Sequence, residues 1–185
     1  MARSGSTSSG WLFVDYPSYG ACQGKPTPET VRETAQGAVS ALPKYLNCTP
    51  KQLLPTLGTF SHSIGCAAAL DIAATLDMKR SVIVALFTSM QAMAAGYVTP
   101  LLTVFLRHRF DNRISLDLLA KSGHAKVIIL HDTTDRPIPA SMGRSLAERH
   151  IGITDYRAIQ NAGHNDFIHL GAQQIANALR ELESL

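Results

Sequence analysis

A serine, an aspartate and a histidine, each placed just past an apolar run, offer the most chemistry in this 185-residue chain. Ser63 stands in "FSHSIGCAAALDIAA", where an apolar stretch gives way to an alanine-rich segment of helical character. Ser61 lies two positions before it and Gly65 two after. A sharp strand-to-helix turn that pushes one side chain clear of the backbone demands small residues at those two positions. Such a turn also puts the Ile64 N–H at a helix start, where it can stabilise a developing oxyanion. The pattern is short, and a serine there also reads as an ordinary helix N-cap. A hydroxyl becomes a useful nucleophile only when a base takes its proton and an acid orients that base. "VIILHDTTDRPIP" offers Asp135 as the acid, with Asp132 as an outside candidate, and "NAGHND" offers His164 as the base. His62 and His131 flank the same positions and read as packing or hydrogen-bonding residues. Asp166 reads as a shaper of the loop behind His164.

These side chains can meet only if the segments that carry them lie side by side. Strand patterns fall at 11–16, 57–61, 81–87, 125–132 and 153–160, the third and fourth being β-branched runs typical of buried parallel strands. Helical spacing marks 26–46, with Thr27 as N-cap, Pro28 at the first helical position and Pro43 kinking or ending it. Further helices are expected from the elbow to about Leu76, over 140–150, and over 172–183 with Ile175, Leu179 and Leu182 on one side. The alternation predicts an α/β fold, a mostly parallel sheet flanked by helices. Ser63, Asp135 and His164 then all fall at C-terminal strand ends, where ligands bind in open α/β sheets.

Composition narrows the function classes. With 45% hydrophobic and 17% charged residues, the chain reads as one soluble globular domain over 11–185 behind a disordered lead-in at 1–10. A net charge of +3 is too mild for a nucleic-acid partner, and the basic run "RHRFDNR" is interrupted by Asp111 and reads as a solvated face. Cys22, Cys48 and Cys66 have neither metal nor redox spacing, so they read as reduced thiols of an intracellular chain. No His/Cys/Asp grouping has zinc spacing, and neither a metal nor a cofactor is expected. The longest apolar region, 94–106, contains Pro100 and is too short to cross a bilayer. It belongs to a segment, 88–114, that reads as a small cap, a pocket lining, a core helix or a face resting on a membrane surface.

Six motifs, "VDYPSYGACQGKPT", "FSHSIGCAAALDIAA", "ALFTSM", "RFDN", "VIILHDTTDRPIP" and "NAGHNDF", together resemble α/β-hydrolase-fold serine hydrolases. The branch is that of acyl-protein depalmitoylases and serine-aminopeptidase-like esterases, and the resemblance runs from about residue 11 to residue 171. It implies Ser63 as nucleophile, Asp135 as acid and His164 as general base, in the family's chain order. It implies an ester or thioester substrate, a small molecule or a lipid acyl group, met in the cytoplasm or at a membrane surface. Asp132 stands where the family usually has Gly, and Asp can tolerate the left-handed turn that Gly would provide. The family also carries earlier strands, one ending in a His-Gly loop that supplies the second oxyanion N–H. Residues 1–10 hold no counterpart, so the expected fold is N-terminally shortened. The alternative function is a catalytically impaired remnant that acts as a binding or regulatory protein.

Overall fold

A computed structural model describes residues 9–95 and 110–184. The lead-in at 1–10 and the 88–114 segment therefore lie mostly outside the described residues.

Among the described residues, four parallel strands form one sheet in the order β1-β2-β3-β4: β1 Gly58–His62, β2 Arg80–Val84, β3 Lys126–Asp132 and β4 Thr154–Ile159. Parallel neighbours need crossovers, and helices supply them. Helix α1 (Pro28–Leu46) precedes β1, with the short α2 (Pro50–Leu53) and a 3-10 turn between them. Helix α3 (Gly65–Thr75) joins β1 to β2, and α4 (Met90–Ala95) and α5 (Asn112–Ser122) lie between β2 and β3. Helix α6 (Ala140–Arg149) links β3 to β4, and α7 (Phe167–Leu170) and α8 (Ala172–Glu183) close the chain.

The two-residue period of the central strands decides which face each side chain serves. Ile83, Val127 and Ile129 point to one face and pack with Leu70 and Ala73 of α3, Leu116 and Leu119 of α5 and Leu146 of α6. Val82, Val84, Ile128 and Leu130 point to the other, against Phe167 and against Ile175, Ala178 and Leu182 of α8. Burial of each such aliphatic side chain stabilises by about 1.5–3 kcal/mol. The result is a three-layer sandwich with helices on both faces, as the alternation of elements predicts.

Local chemistry explains the helix ends. The Thr27 side chain accepts the Thr30 N–H, the Thr30 side chain accepts the Thr27 N–H, and Pro28 opens α1. Pro43 lies within its last turn, and left-handed Asn47 (φ 52°) ends it. Helix α5 is absent from the sequence expectations although its signals are present: Asp111 accepts the Arg113 N–H at one end, and left-handed Gly123 (φ 75°) closes the other.

Two expectations for strands need correction. Residues 11–16 form no strand: they are coil, and Trp11 stands edge-on to Phe60 of β1 at 6.0 Å. A strand conformation is held by a neighbour that takes its N–H and C=O groups, and none of the described strands pairs with this segment. The 81–87 run stays buried throughout but leaves the ladder early, because Ala85 adopts a left-handed backbone (φ 56°). Among the described residues, no helix is long and apolar enough to cross a membrane.

Candidate active site

Ser63 follows β1 directly and sits in the left-handed region with φ 55°. For a non-glycine residue that conformation costs about 1–2 kcal/mol and persists only where its surroundings hold it. Here the Ser63 N–H donates to Val84 O at 2.9 Å, and the Ser63 carbonyl accepts the Cys66 N–H at 2.9 Å as α3 begins. The elbow is thereby tied to the end of β2. Its steric demand is milder than the sequence pattern suggests: a Cβ on Gly65 would lie 3.9 Å from Ser61 Cβ, an ordinary contact. Among the described residues no protein acceptor takes the N–H of Ile64, the N-cap of the eleven-residue α3. That leaves it open to an incoming oxyanion.

The loop after β3 carries Asp135 and the loop after β4 carries His164. The Ser63 hydroxyl donates to His164 Nε2 at 2.9 Å, and His164 Nδ1–H donates to Asp135 Oδ2 at 2.7 Å. The second carboxylate oxygen of Asp135 accepts the Ile138 N–H at 2.8 Å. Burial alone would raise the Asp135 pKa, but the nearby His131 ring and hydrogen bonds from His164 and the Ile138 N–H outweigh it and hold the group below the usual carboxylate range. An anionic Asp135 requires the proton of neutral His164 to sit on Nδ1, which leaves Nε2 free to accept from Ser63. Alcohol, imidazole and carboxylate thus form one chain of hydrogen bonds, in which the imidazole can take the alcohol's proton while the carboxylate holds its tautomer.

The remaining candidates have supporting places. His62 Nε2 donates to the His164 carbonyl at 3.0 Å, and the two rings stand 4.9 Å apart. Burial, then repulsion from His164, lowers the His62 pKa. His131 Nε2 donates to Ile138 O at 2.9 Å and lies 3.6 Å from Asp135 Oδ2. Asp166 is exposed, and its carbonyl accepts the His169 and Leu170 N–H groups as α7 forms. Asp132 is the last residue of β3, has no left-handed backbone, and turns its side chain inward to hydrogen-bond with Ala162 and Thr134. The Cys66 thiol beneath the elbow donates to Val84 O, and burial pushes its pKa up to about 12, so no thiolate competes with Ser63. Among the described residues, no group of His, Cys, Asp and Glu is arranged to hold a metal.

Comparison with solved proteins adds the frame around this geometry. The Pyrococcus furiosus esterase Pf2001 superposes with a TM-score of 0.63 at 13% identity, over 91% of this chain and 66% of that one. The ydeN gene product of B. subtilis superposes at 0.56 with 18% identity, over 87% of this chain and 77% of that one. A putative non-heme bromoperoxidase from Mycobacterium tuberculosis gives 0.58 at 13% identity, over 92% of this chain and 79% of that one. The fold is that of the α/β-hydrolases. No protein-family model matches the chain. The human α/β hydrolase domain-containing protein 17B is 28% identical over 152 residues, 82% of this chain and 49% of that protein. An uncharacterised protein of Mycobacterium tuberculosis is 26% identical over 171 residues, 91% of this chain and 58% of its own length. The chain thus spans about half the length of the curated relatives it matches. In α/β-hydrolase terms, Ser63 stands at the strand-to-helix elbow after β1, with Asp135 in the loop after β3 and His164 in the loop after β4.

Proposed function

We propose that the chain is a serine hydrolase that cleaves carboxylic esters or thioesters through Ser63, His164 and Asp135. The continuous line of hydrogen bonds, 2.9 Å from alcohol to imidazole and 2.7 Å from imidazole to carboxylate, carries this reading. As Ser63 Oγ attacks the acyl carbon, His164 Nε2 takes its proton, and Asp135 stabilises the imidazolium that forms. The negative charge on the carbonyl oxygen meets the Ile64 N–H and the positive end of α3. His164 then returns the proton to the departing alkoxide or thiolate, leaving an acyl group on Ser63. Water activated by the same imidazole releases it.

An apolar acyl group fits the surroundings. Ala67, on the first turn after the elbow, packs with Phe87 and Ile138, and Met90, Met93 and Met142 pack against them. Methionines reshape at low cost to fill irregular space, which suits an acyl chain, small or lipid-derived. Contact with a membrane surface would present such a chain, and sedimentation with liposomes tests it.

A serine-directed fluorophosphonate probe tests the reaction. It is expected to label the native protein and not Ser63→Ala, while p-nitrophenyl esters of increasing chain length rank the acyl preference. Folded native protein that takes no label refutes the hydrolase and favours a non-catalytic binding role.

A further inference from the structure

The reaction needs one alcohol, one imidazole and one carboxylate, yet a second carboxylate is buried between the loops that carry the last two. We propose that Asp132 is a positioning residue: it clamps the loop bearing His164 to the loop bearing Asp135, a role that rests on the hydrolase reading above. Its Oδ2 accepts the Ala162 N–H at 2.7 Å, two residues before His164. Its Oδ1 accepts the Thr134 N–H at 2.6 Å and the Thr134 hydroxyl at 2.5 Å, one residue before Asp135. The Gly163 N–H interacts with the same carboxylate. One side chain therefore bonds both loops at once.

Three observations set this apart from a routine buried polar group. The residue is fully buried, 0% exposed, and none of its hydrogen-bond partners is a cation. Such a charge survives only if hydrogen bonds replace its lost water. Every partner is a donor, which an anionic carboxylate satisfies and an amide cannot, since an amide would turn an NH2 toward one of them. The loop it holds is not one the backbone settles into unaided. Asn161 and Gly163, on either side of Ala162, are both left-handed, with φ 64° and 63°. Tying down the N–H between them fixes the direction in which the chain enters His164. A misplacement of about 1 Å at a reacting group can cost about a hundredfold in rate, so the clamp bears directly on the Ser63–His164 contact.

The test uses Asp132→Asn in the full chain, read by probe labelling kinetics, amide hydrogen exchange and thermal melting. The maximal labelling rate is expected to fall about 10- to 100-fold while the half-saturating probe concentration stays within about twofold. The Ala162 amide, protected in the native protein, is expected to exchange faster. Because the clamp acts through His164, adding Asp132→Asn to His164→Ala should slow the residual labelling no further, whereas a general loss of fold would slow both alike. Asp132→Asn labelling at the native rate, unchanged Ala162 exchange, or an equal further loss in the His164→Ala background would each overturn the proposal. Where the native protein takes no label, the hydrolase reading fails and Ala162 exchange alone decides the clamp. If Asp132→Asn does not fold, Thr134→Val removes one donor more gently. An accompanying loss of labelling rate of about threefold, with Ala162 exchange quickened, supports the clamp, and native values in both overturn it.

Discussion

Replacing Asp135 by asparagine changes one oxygen for one NH2 group and should all but abolish the chemistry while sparing the fold. The carboxylate is buried and has two distinct donors on its two oxygens: Ile138 N–H on one and His164 Nδ1–H on the other. An amide offers only one acceptor. If its oxygen keeps Ile138, its NH2 faces His164 Nδ1, and the favourable tautomer then carries the proton on Nε2. That nitrogen would point N–H at Ser63 Oγ and could no longer take the hydroxyl proton. A wrong-tautomer imidazole in such a triad lowers kcat by about 10⁴-fold, equivalent to about 5.4 kcal/mol of transition-state stabilisation. The stability cost is smaller, about 1–3 kcal/mol for a disturbed buried hydrogen bond. Burst kinetics with an activated ester separate the acylation rate from turnover, and urea unfolding measures the fold. Asp135→Asn acylating within tenfold of the native rate, with the protein folded, would refute tautomer control by Asp135.

Three further outcomes follow from the same geometry. Ser63→Ala and Ser63→Gly both lose the hydroxyl, but only glycine relieves φ 55°. The glycine variant should therefore be more stable by about 1 kcal/mol and melt about 2–4 °C higher, as calorimetry can show. Asp132 and Asp135 both have pKa values lowered in the folded state, where hydrogen bonds outweigh burial. Their stabilisation is present above the unfolded carboxylate value of about 3.9 and is lost as pH falls through it toward the folded values. Urea midpoints measured from pH 5 to pH 2 should drop steeply in the native protein and less steeply in Asp132→Asn. Gly143 of α6 lies where a Cβ would come within 2.6 Å of His131 Nδ1, inside the core behind Asp135. Gly143→Ala should cost about 1–3 kcal/mol of overpacking, and an unchanged melting temperature would contradict that packing.

Much of this layout was legible before any coordinates. The β-branched runs at 81–84 and 126–130 alternate faces because both sheet surfaces are covered, and that pattern is written in side-chain type. Thr27 with Pro28, and Ile175 with Leu182, mark their helices through capping and period alone. Helix α5 has equally local signals in Asp111, Leu116, Leu119 and Gly123, but they sit beside a basic run whose charge masks the helical period. Residues 11–16 misled for the opposite reason. Their apolar character suits a strand, but a strand exists only by pairing, and pairing is not a local property. The role of Asp132 was hidden for the same reason, since its partner Ala162 is thirty residues away.

The sequence by itself determined the α/β alternation, the small residues around Ser63, and the placing of one acid and one base just past later strands. These depend on neighbours a few positions away, where propensity and period act. Only the tertiary structure decided that Ser63, His164 and Asp135 share one line of hydrogen bonds, and that Asp132 turns inward to join two loops. Both depend on the parallel register of β1 through β4, which brings together strand ends separated by up to a hundred residues of chain.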